Sequence, residues 1–383
     1  MIMEDALDAL IDYRGKTPKK SKTGIMTLSA KSVKNNHIDY SQCYFISEEE
    51  YEKFMVRGFP KKGDILLTTE APLGLVARLD RNDVAIAQRL LTLRGKENVL
   101  DNDYLLYYLQ SPIGQASLKA RETGTTVTGI KQAEFRKIEI EIPDYEVQKK
   151  VSGILRVIDQ KIEFNNAINN NLEQQAKALY KDWFFNFSPF SSDGNLPDDW
   201  RLGTVGDIIQ LHDSKRVPLS GAERDKMAKV YPYYGATSLM DYVDNYLFDG
   251  IYILLGEDGT VVDSLGFPIL QYVYGQFWVN NHAHIITGKE GFSVEELYLF
   301  FSLTNIKSIV TGAVQQKVSQ QNLKKVPAII PSKEALGAFD EITQPIFAQI
   351  RNLRDENANL SQLRDTLLPK LMSGELDVSD IEI

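Results

Sequence analysis

Two histidines, His282 and His284, come nearest in this chain to a metal-binding pattern. Residues at i and i+2 point to the same face of a β-strand, and an acidic ligand could come from Glu257 or Asp258. The equivalent positions 193 residues earlier hold an arginine and a leucine, which could not build the same site: Arg89 and Leu91. We therefore expect no metal site and interpret the two histidines as polar loop residues or nucleic-acid contacts.

Motifs for catalysis or nucleotide binding are absent from the sequence. Gly15, Lys16 and Thr17 resemble the end of a phosphate-binding loop, but Leu10 replaces the glycine required five residues earlier and Pro18 follows at once. The chain contains no Gly-x-Gly-x-x-Gly sequence and no Asn/Asp-Pro-Pro-Tyr/Phe sequence of an amino-methyltransferase. We therefore expect a non-catalytic protein that needs no cofactor.

Lysine and arginine cluster in turn-like segments, most densely from Arg14 to Lys22, where five of nine residues are cations. Cations on turns suit phosphate contacts, whereas side chains on firmer elements suit base edges. A solvated surface is the simpler interpretation of any single cation, but the run as a whole favours a contact function. The candidate DNA-binding residues are Arg14, Lys16, Lys19, Lys20, Lys22, Arg78, Arg89, Lys131, Lys215, Arg216, His282, His284 and Lys317.

The chain that carries these residues repeats itself. The segment from Gly124 to Pro143 aligns without a gap with the segment from Gly312 to Pro331, 188 residues later. The register continues beyond both prolines into long segments with an apolar stripe. A chain that duplicates a globular part and a long helix is predicted to form two similar halves.

Apolar residues spaced three and four apart predict two long helices, residues 144–186 and 332–376. The first would be about 58 Å long. Each stripe is too long to be buried by one small domain, so we expect the helices to pack on each other; the alternative is that each packs on its own domain. The predicted contact residues are Ile154, Ile158, Ile162, Leu172, Leu179, Ile342, Ile346, Ile350, Leu360 and Leu367.

The predicted domains follow from these segments. They are a first globular domain (1–143), a first helix (144–186), a second globular domain (187–331), a second helix (332–376) and a tail (377–383). The second domain opens with a Pro-Trp segment that the first domain lacks, so the first looks abbreviated at its N-terminus. Pro345 should kink the second helix or break it into two.

Composition limits the class of protein. The 383 residues suffice for two or three domains, and 43% of them are hydrophobic. No apolar run approaches the ~20 residues of a membrane helix. The acidic first twelve residues are not a secretory signal, and Cys43 is the single cysteine. We expect a cytoplasmic protein.

The net charge of −9 argues mildly against nucleic-acid binding, but net charge does not exclude a local basic patch.

Five motifs resemble the DNA specificity subunit of type I restriction-modification systems. In chain order they are residues 12–18 (DYRGKTP), 63–68 (GDILLT), 255–259 (LGEDG), 278–284 (WVNNHAH) and 367–376 (LLPKLMSGEL). Together with the duplicated helices, the resemblance covers essentially the whole chain. It implies an α+β fold in which two similar mixed α/β target-recognition domains are joined by two antiparallel helices forming a coiled coil.

The resemblance also implies a function. Each domain would read one half of an asymmetric, interrupted sequence in double-stranded DNA. The helices would set the spacer and dock modification subunits, expected to number two, which carry the S-adenosylmethionine chemistry. Restriction subunits would join this core to translocate and cut, and this chain would itself be non-catalytic.

Two other functions are considered. The negative net charge of the chain slightly favours a scaffold that binds proteins through two domains on a coiled-coil hairpin. A nuclease or methyltransferase is the other alternative, and the missing motifs argue against it.

Overall fold

The structure is a computed structural model that describes residues 1–13, 15–124, 128–312, 315–378 and 381. The chain forms two compact units: unit 1 is Met1–Phe164 with Glu356–Ile383, and unit 2 is Asn165–Asp355. Each unit combines sheets and helices, which confirms the predicted α+β fold with two similar halves. This division cuts both long helices, so the domain boundaries at 143, 186 and 331 stay predictions.

Unit 1 is built around two four-stranded sheets. Its strands are β1 (Leu7–Asp12), β2 (Lys20–Ser21), β3 (Ile25–Leu28), β4 (Tyr44–Ile46), β5 (Ile65–Thr69), β6 (Leu73–Arg78), β7 (Val84–Ile86) and β8 (Leu90–Gly95). Its helices are α1 (Met3–Ala6), α2 (Glu48–Phe54), α3 (Asn102–Gln110), α4 (Pro112–Ala120), α5 (Gln132–Arg136) and α6 (Tyr145–Phe184), the last of which continues into unit 2. The sheet orders are β1-β8-β5-β6 and β2-β4-β3-β7.

The apolar strand β5 shows why this unit has cores on both faces of its first sheet. Successive side chains of a strand point to opposite faces. Ile65 and Leu67 pack on the helix side with Leu105 of α3, whereas Leu66 packs on the other side with Ile86 of β7. All five residues of β5 are buried, so a continuous apolar run suits a strand covered on both faces.

Unit 2 is built on a similar plan, with one six-stranded sheet and two two-stranded sheets in place of the two four-stranded sheets. Its strands are β9 (Arg201–Thr204), β10 (Ile209–Leu211), β11 (Tyr231–Tyr234), β12 (Leu239–Val243), β13 (Phe248–Gly256), β14 (Asp258–Gly259), β15 (Leu270–Val279), β16 (Ala283–Gly288), β17 (Gln316–Lys317) and β18 (Pro327–Ile330). Its helices are α7 (Val205–Ile208), α8 (Gly221–Arg224), α9 (Val294–Leu303), α10 (Gln320–Leu323) and α11 (Lys333–Met372), the last of which continues into unit 1.

Sheet pairing confirms that the halves are repeats. The large sheet of unit 2 has the order β10-β16-β13-β15-β11-β12, whose first four strands match β1-β8-β5-β6. Strand β11 runs parallel to the end of β15, as β3 runs parallel to β7. The pairing of β9 with β18 has a smaller counterpart in unit 1, the single bridge between Ile2 and Glu139.

The two long helices are confirmed. Helices α6 and α11 have 40 residues each, which corresponds to about 60 Å. Helix α11 runs unbroken through Pro345, so the predicted alternative of a break there was wrong. Among the described residues, no helix combines the length and hydropathy that a membrane span requires.

The helices pair within each unit. In unit 1, Asp159 of α6 meets Arg364 of α11 at 2.9 Å and Lys161 meets Glu356 at 3.3 Å. From the first ion pair to the second, the residue number rises along α6 and falls along α11, so the paired segments run antiparallel. In unit 2, Phe339 packs its ring on three aromatic rings of α6: Tyr180, Trp183 and Phe184. Supercoiling of the pair stays a prediction.

Most of the predicted contact residues are at least half-buried. Ile158 and Ile350 are buried, and the half-buried ones are Ile154, Ile162, Leu172, Leu179, Ile346, Leu360 and Leu367. Ile342 was a wrong prediction, because its side chain is 43% exposed. The buried face of α11 passes instead through Phe339, Thr343 and Phe347, and a residue three positions from Phe339 falls at its edge.

Candidate nucleic-acid interface

In unit 2, four loop segments meet where β10 and β13 end and β16 begins. Both strands pair antiparallel with β16, so their ends lie beside its start. The segments are residues 212–220, 257–260, 280–282, and 311–312 with 315–318. This assembly is called loop cluster 2.

Arg216 fastens loop cluster 2 to the sheet. Its Nη1 donates to Glu257 Oε2 at 2.6 Å and to the carbonyl of Ala283 at 2.8 Å, and its Nε donates to the carbonyl of Asp213 at 3.0 Å. The Arg216 side chain is only 14% exposed. The structure gives this arginine an internal role, and its contact with DNA stays a prediction.

His284 connects another loop to the same site. The histidine is completely buried, with Nδ1 2.6 Å from Asp213 Oδ2 and Nε2 2.8 Å from the carbonyl of Val318. Burial alone would raise the pKa of Asp213, but hydrogen bonding to His284 holds that pKa below its ordinary value. The predicted DNA contact of His284 was therefore wrong: the residue lies in β16, between two neighbouring strands, and faces protein.

The same site contains three side chains of types that commonly bind metal ions. Ligand atoms of Asp213, Glu257 and His284 lie within 4.8 Å of one another. The guanidinium of Arg216 already pairs with Glu257 at 2.6 Å and approaches Asp213 to 3.7 Å. It supplies the positive charge that a metal would supply, and both ring nitrogens of His284 already face oxygen atoms. We assign no metal to this group.

Three predicted DNA-binding residues lie on the exposed rim of loop cluster 2. Lys215 is exposed. The Lys317 side chain is 54% exposed, with its ammonium 3.7 Å from Glu257 Oε1. His282 is 46% exposed, with Nδ1 2.6 Å from Asp258 Oδ1. These groups can reach a ligand from solvent, so their DNA contact stays a prediction that the geometry permits.

Unit 1 contains the equivalent cluster, loop cluster 1, formed by residues 15–19, 70, 87–89, 123–124 and 128–131. Arg89 Nε lies 2.8 Å from Glu70 Oε1, at the repeat positions of His282 and Asp258. Glu70 forms a β-bridge with Gly129, as Asp258 pairs with Lys317 in unit 2. Within each unit, the corresponding loops therefore contact one another in the same way.

The cation-rich segment at residues 14–22, called the basic run, contacts another part of loop cluster 1 through Thr17. The Thr17 Oγ1 donates to Gln88 Oε1 at 2.9 Å. The lysines of the basic run are exposed: Lys16, Lys19, Lys20 and Lys22. Within the described part of the chain, no carboxylate forms an ion pair with these four ammonium groups, so their charges are available to an external anion. Lys131, also exposed, follows Gly129 by two residues. Arg14 lies outside the described residues.

Arg78 is less available. Its Nε lies 2.8 Å from Asp103 Oδ1, outside hydrogen-bonding angles. Burial raises the pKa of Asp103 although Arg78 opposes the shift. Contact of Arg78 with DNA stays a prediction, and the geometry shows that it already serves an ion pair between β6 and α3.

Sequence reasoning missed one uncharged element beside loop cluster 2. The turn at residues 235–238 follows β11, where Asn280 N donates to the carbonyl of Tyr234 at 3.0 Å. A Cβ on Gly256 would lie 3.4 Å from the carbonyl oxygen of Ala236, so the turn borders the loop that begins at Glu257. No charged residue marked it; the Gly-Ala-Thr-Ser sequence was the available turn signal.

Comparison with known proteins agrees with the duplication. Two copies of the family model described as "Type I restriction modification DNA specificity domain" match residues 10–174 and 197–362. The MjaIX specificity subunit of a type I restriction enzyme from Methanocaldococcus jannaschii is 27% identical over 364 residues, covering 88% of this chain and 82% of the relative. The HindI specificity subunit of Haemophilus influenzae is 23% identical, covering 82% and 87%.

A solved structure supports the same architecture. The crystal structure of the S subunit of a type I restriction-modification system from M. genitalium has a TM-score of 0.58 at 18% sequence identity. The match covers 97% of this chain and 95% of that chain. At this identity the likeness shows a shared fold.

Proposed function

Because this chain belongs to the type I restriction-modification DNA specificity family, we propose that it is the subunit that recognises double-stranded DNA for such a complex. The observation that carries the proposal is the presence of equivalent loop clusters in both units, each with exposed cations. Lys16, Lys19 and Lys131 lie in the first, which the exposed Lys20 and Lys22 adjoin, and Lys215 and Lys317 lie in the second. Exposed cations on loops suit contacts with phosphates.

Each unit then reads one half of an interrupted target. The folds of the two units are alike, but their loops differ in sequence: Arg89 and Glu70 in unit 1 stand where His282 and Asp258 stand in unit 2. Different side chains on equivalent loops are expected to read different bases. An asymmetric, two-part target follows from this difference.

The paired helices are proposed to set the spacer between the half-sites. Helices α6 and α11 are each unbroken over 40 residues, and they are tied by an ion pair in unit 1 and by aromatic packing in unit 2. Continuous helices resist changes in length far better than a flexible linker does. Half-site spacing in DNA recognition is a geometric property of the protein.

The helices also offer a surface for modification subunits. Val157 and Phe164 of α6 are 60% and 66% exposed, and residues seven apart lie on the same side of a helix. Leu363 of α11 is 47% exposed. Exposed apolar side chains on paired helices suit docking by a protein partner. We expect two modification subunits to perform methyl transfer, and restriction subunits to perform ATP-dependent translocation and cleavage.

Binding of duplex DNA by the full chain with its modification subunits tests the proposal. The target duplex should carry the methylated motif found in the source genome, and a scrambled duplex is the matched control. Affinity for the target should exceed affinity for the scrambled duplex about 10³-fold or more and fall linearly on a log–log plot against salt. Equal affinity for both duplexes would contradict sequence recognition, and no binding of either would favour the protein scaffold.

A further inference from the structure

The hairpin formed by β11 and β12 in unit 2 carries two exposed apolar side chains at its tip. Leu239 is 41% exposed and Met240 is 55% exposed. They directly follow the turn at residues 235–238, which borders loop cluster 2. Such side chains can contact an apolar group of a ligand that binds the polar, cationic surface beside them.

A β-bulge aims Met240. Tyr233 pairs with Asp241 and Tyr234 pairs with Leu239, so Met240 is the extra residue of the ladder. Bulges redirect a side chain and occur near functional sites. The Met240 sulfur lies 3.4 Å from Asn280 Nδ2, and it covers Gly235, where an added Cβ would lie 2.4 Å from the sulfur. Met240 is thus held in place while more than half of it remains accessible.

The turn beneath Met240 is firmly anchored. Gly235 N donates to the carbonyl of Ser238 at 2.9 Å, and Gln271 Nε2 donates to the carbonyl of Gly235 at 2.9 Å. The neighbouring loop is tied to the hairpin as well, since Leu219 N donates to Tyr233 Oη at 3.1 Å. Side chains on such a support keep a fixed position, as base reading requires.

We propose that Met240, assisted by Leu239, is a specificity-determining residue of unit 2 that packs on the 5-methyl group of a thymine in the major groove. This inference rests on the proposed function. The thymine methyl is the apolar group that base edges present in the major groove, and apolar side chains recognise it by contact. Exposed Lys215, on the loop tied to this hairpin, suits the accompanying phosphate contact.

Unit 1 does not repeat this contact. Leu28 pairs with Ile86 as Tyr234 pairs with Val279, and Thr27 pairs with Tyr44 of β4 as Tyr233 pairs with Asp241 of β12. The two residues before Tyr44, Gln42 and Cys43, therefore stand where Leu239 and Met240 precede Asp241; Gln42 is polar and Cys43 is half-buried. The half-site read by unit 1 therefore provides an internal control.

The test uses the full chain in complex with its modification subunits and target duplexes in which single thymines are replaced by deoxyuridine, which lacks the methyl group. For the wild-type complex, replacement at one position of the unit 2 half-site should weaken binding about fourfold, the effect of one buried methyl group. Met240→Ala should weaken binding to the unmodified duplex by a similar factor. It should also abolish the difference between thymine and deoxyuridine.

Gly235→Ala offers a second route, because the new methyl group must displace the Met240 sulfur while Met240 itself is retained. It should also remove the sensitivity to deoxyuridine. Leu202→Ala, which removes a side chain that is 76% exposed on β9, is the matched control and should keep that sensitivity, as should replacements in the unit 1 half-site.

Two results would overturn the inference while leaving the proposed function intact. One is a wild-type complex that prefers its target but ignores every deoxyuridine in the unit 2 half-site, or whose half-site there has no thymine. The other is a Met240→Ala complex that still discriminates thymine from deoxyuridine. A wild-type complex without preference for its target would overturn both the inference and the proposed function.

Discussion

Arg364 of α11 donates to Asp159 of α6, with 2.9 Å between Nη1 and Oδ1, although the residues are 205 positions apart in the chain. Tyr107 of α3 donates to the other carboxylate oxygen at 2.6 Å. Asp159 is only 5% exposed. One buried carboxylate therefore links both long helices to the domain helix in unit 1.

Removing that carboxylate should destabilise unit 1. Asp159→Ala leaves Nη1 of Arg364 and the Tyr107 hydroxyl without their acceptor, which should lower the free energy of unfolding by about 2–4 kcal/mol. Urea denaturation measures the change. Asp365→Ala is the control: Asp365 also lies 2.9 Å from Arg364, but its side chain is 66% exposed. Its loss should cost about 1 kcal/mol or less, and equal costs for both variants would disprove the role of Asp159.

Glu296 predicts a dependence of stability on pH. This completely buried residue accepts a hydrogen bond from Ser293 N at 2.8 Å at the start of α9. Burial, with a smaller contribution from Asp340, raises the pKa of Glu296 from 4.5 to about 9. The folded state thus binds a proton that the unfolded state releases above pH 4.5. Stability from this group is complete below that pH and is lost as pH rises towards about 9.

Glu296→Gln isolates the effect, because glutamine keeps the cap of α9 and does not titrate. Thermal unfolding should give a higher midpoint for the variant than for the wild type at pH 8, and the difference should shrink at pH 5. A difference that stays constant between these pH values would show that Glu296 is not protonated in the folded protein.

The repeat explains how much of this architecture could be predicted from sequence. The alignment of Gly124 with Gly312 correctly implied two similar halves, and the structure places Arg89 and His282, which the repeat also matches, in corresponding loops. Such predictions succeed because a duplicated pattern carries its own internal comparison. The apolar stripes likewise predicted both long helices to within a few residues of their ends.

The sequence alone could not predict which side chains pair with each other in the folded chain. The sequence shows that Arg216 is a cation, but its partner Glu257 comes 41 residues later, and only folding brings them together. His284 and His282 obey the strand spacing, but His282 precedes β16 and is exposed, whereas His284 lies within it and is buried. The prediction for Ile342 was wrong because a shift of one position around α11 moves a side chain from the buried face of the helix to the edge of that face.

The basic run predicts a salt dependence. Replacing Lys16, Lys19, Lys20 and Lys22 with alanine should reduce the slope of log affinity against log salt by about 3–4, near 0.9 for each phosphate that a lysine no longer neutralises. Binding titrations of the assembled complex at several salt concentrations measure this slope. Lys137 and Lys149, which pair with Glu134 and Glu146, are the controls, and their replacement should leave the slope unchanged. An unchanged slope in the fourfold variant would remove the run from the interface.

The helices predict the length of the unspecified spacer. Inserting four residues after Asn169 in α6, with four at the repeat position Asn357 in α11, adds about 6 Å of helix. The spacer should lengthen by one or two base pairs, since DNA rises about 3.4 Å per base pair. Sequencing of methylated sites measures the spacer. An active variant with the original spacer would show that the helices do not set it.

The central claim is that each unit reads one half of the target, and exchange of residues 187–331 with the corresponding segment of another family member tests it most directly. Methylated sites mapped across a genome report both halves of the recognised sequence. We predict that the half read by unit 2 changes to that of the donor while the other half stays the same. A change in both halves, or in neither, would contradict the claim.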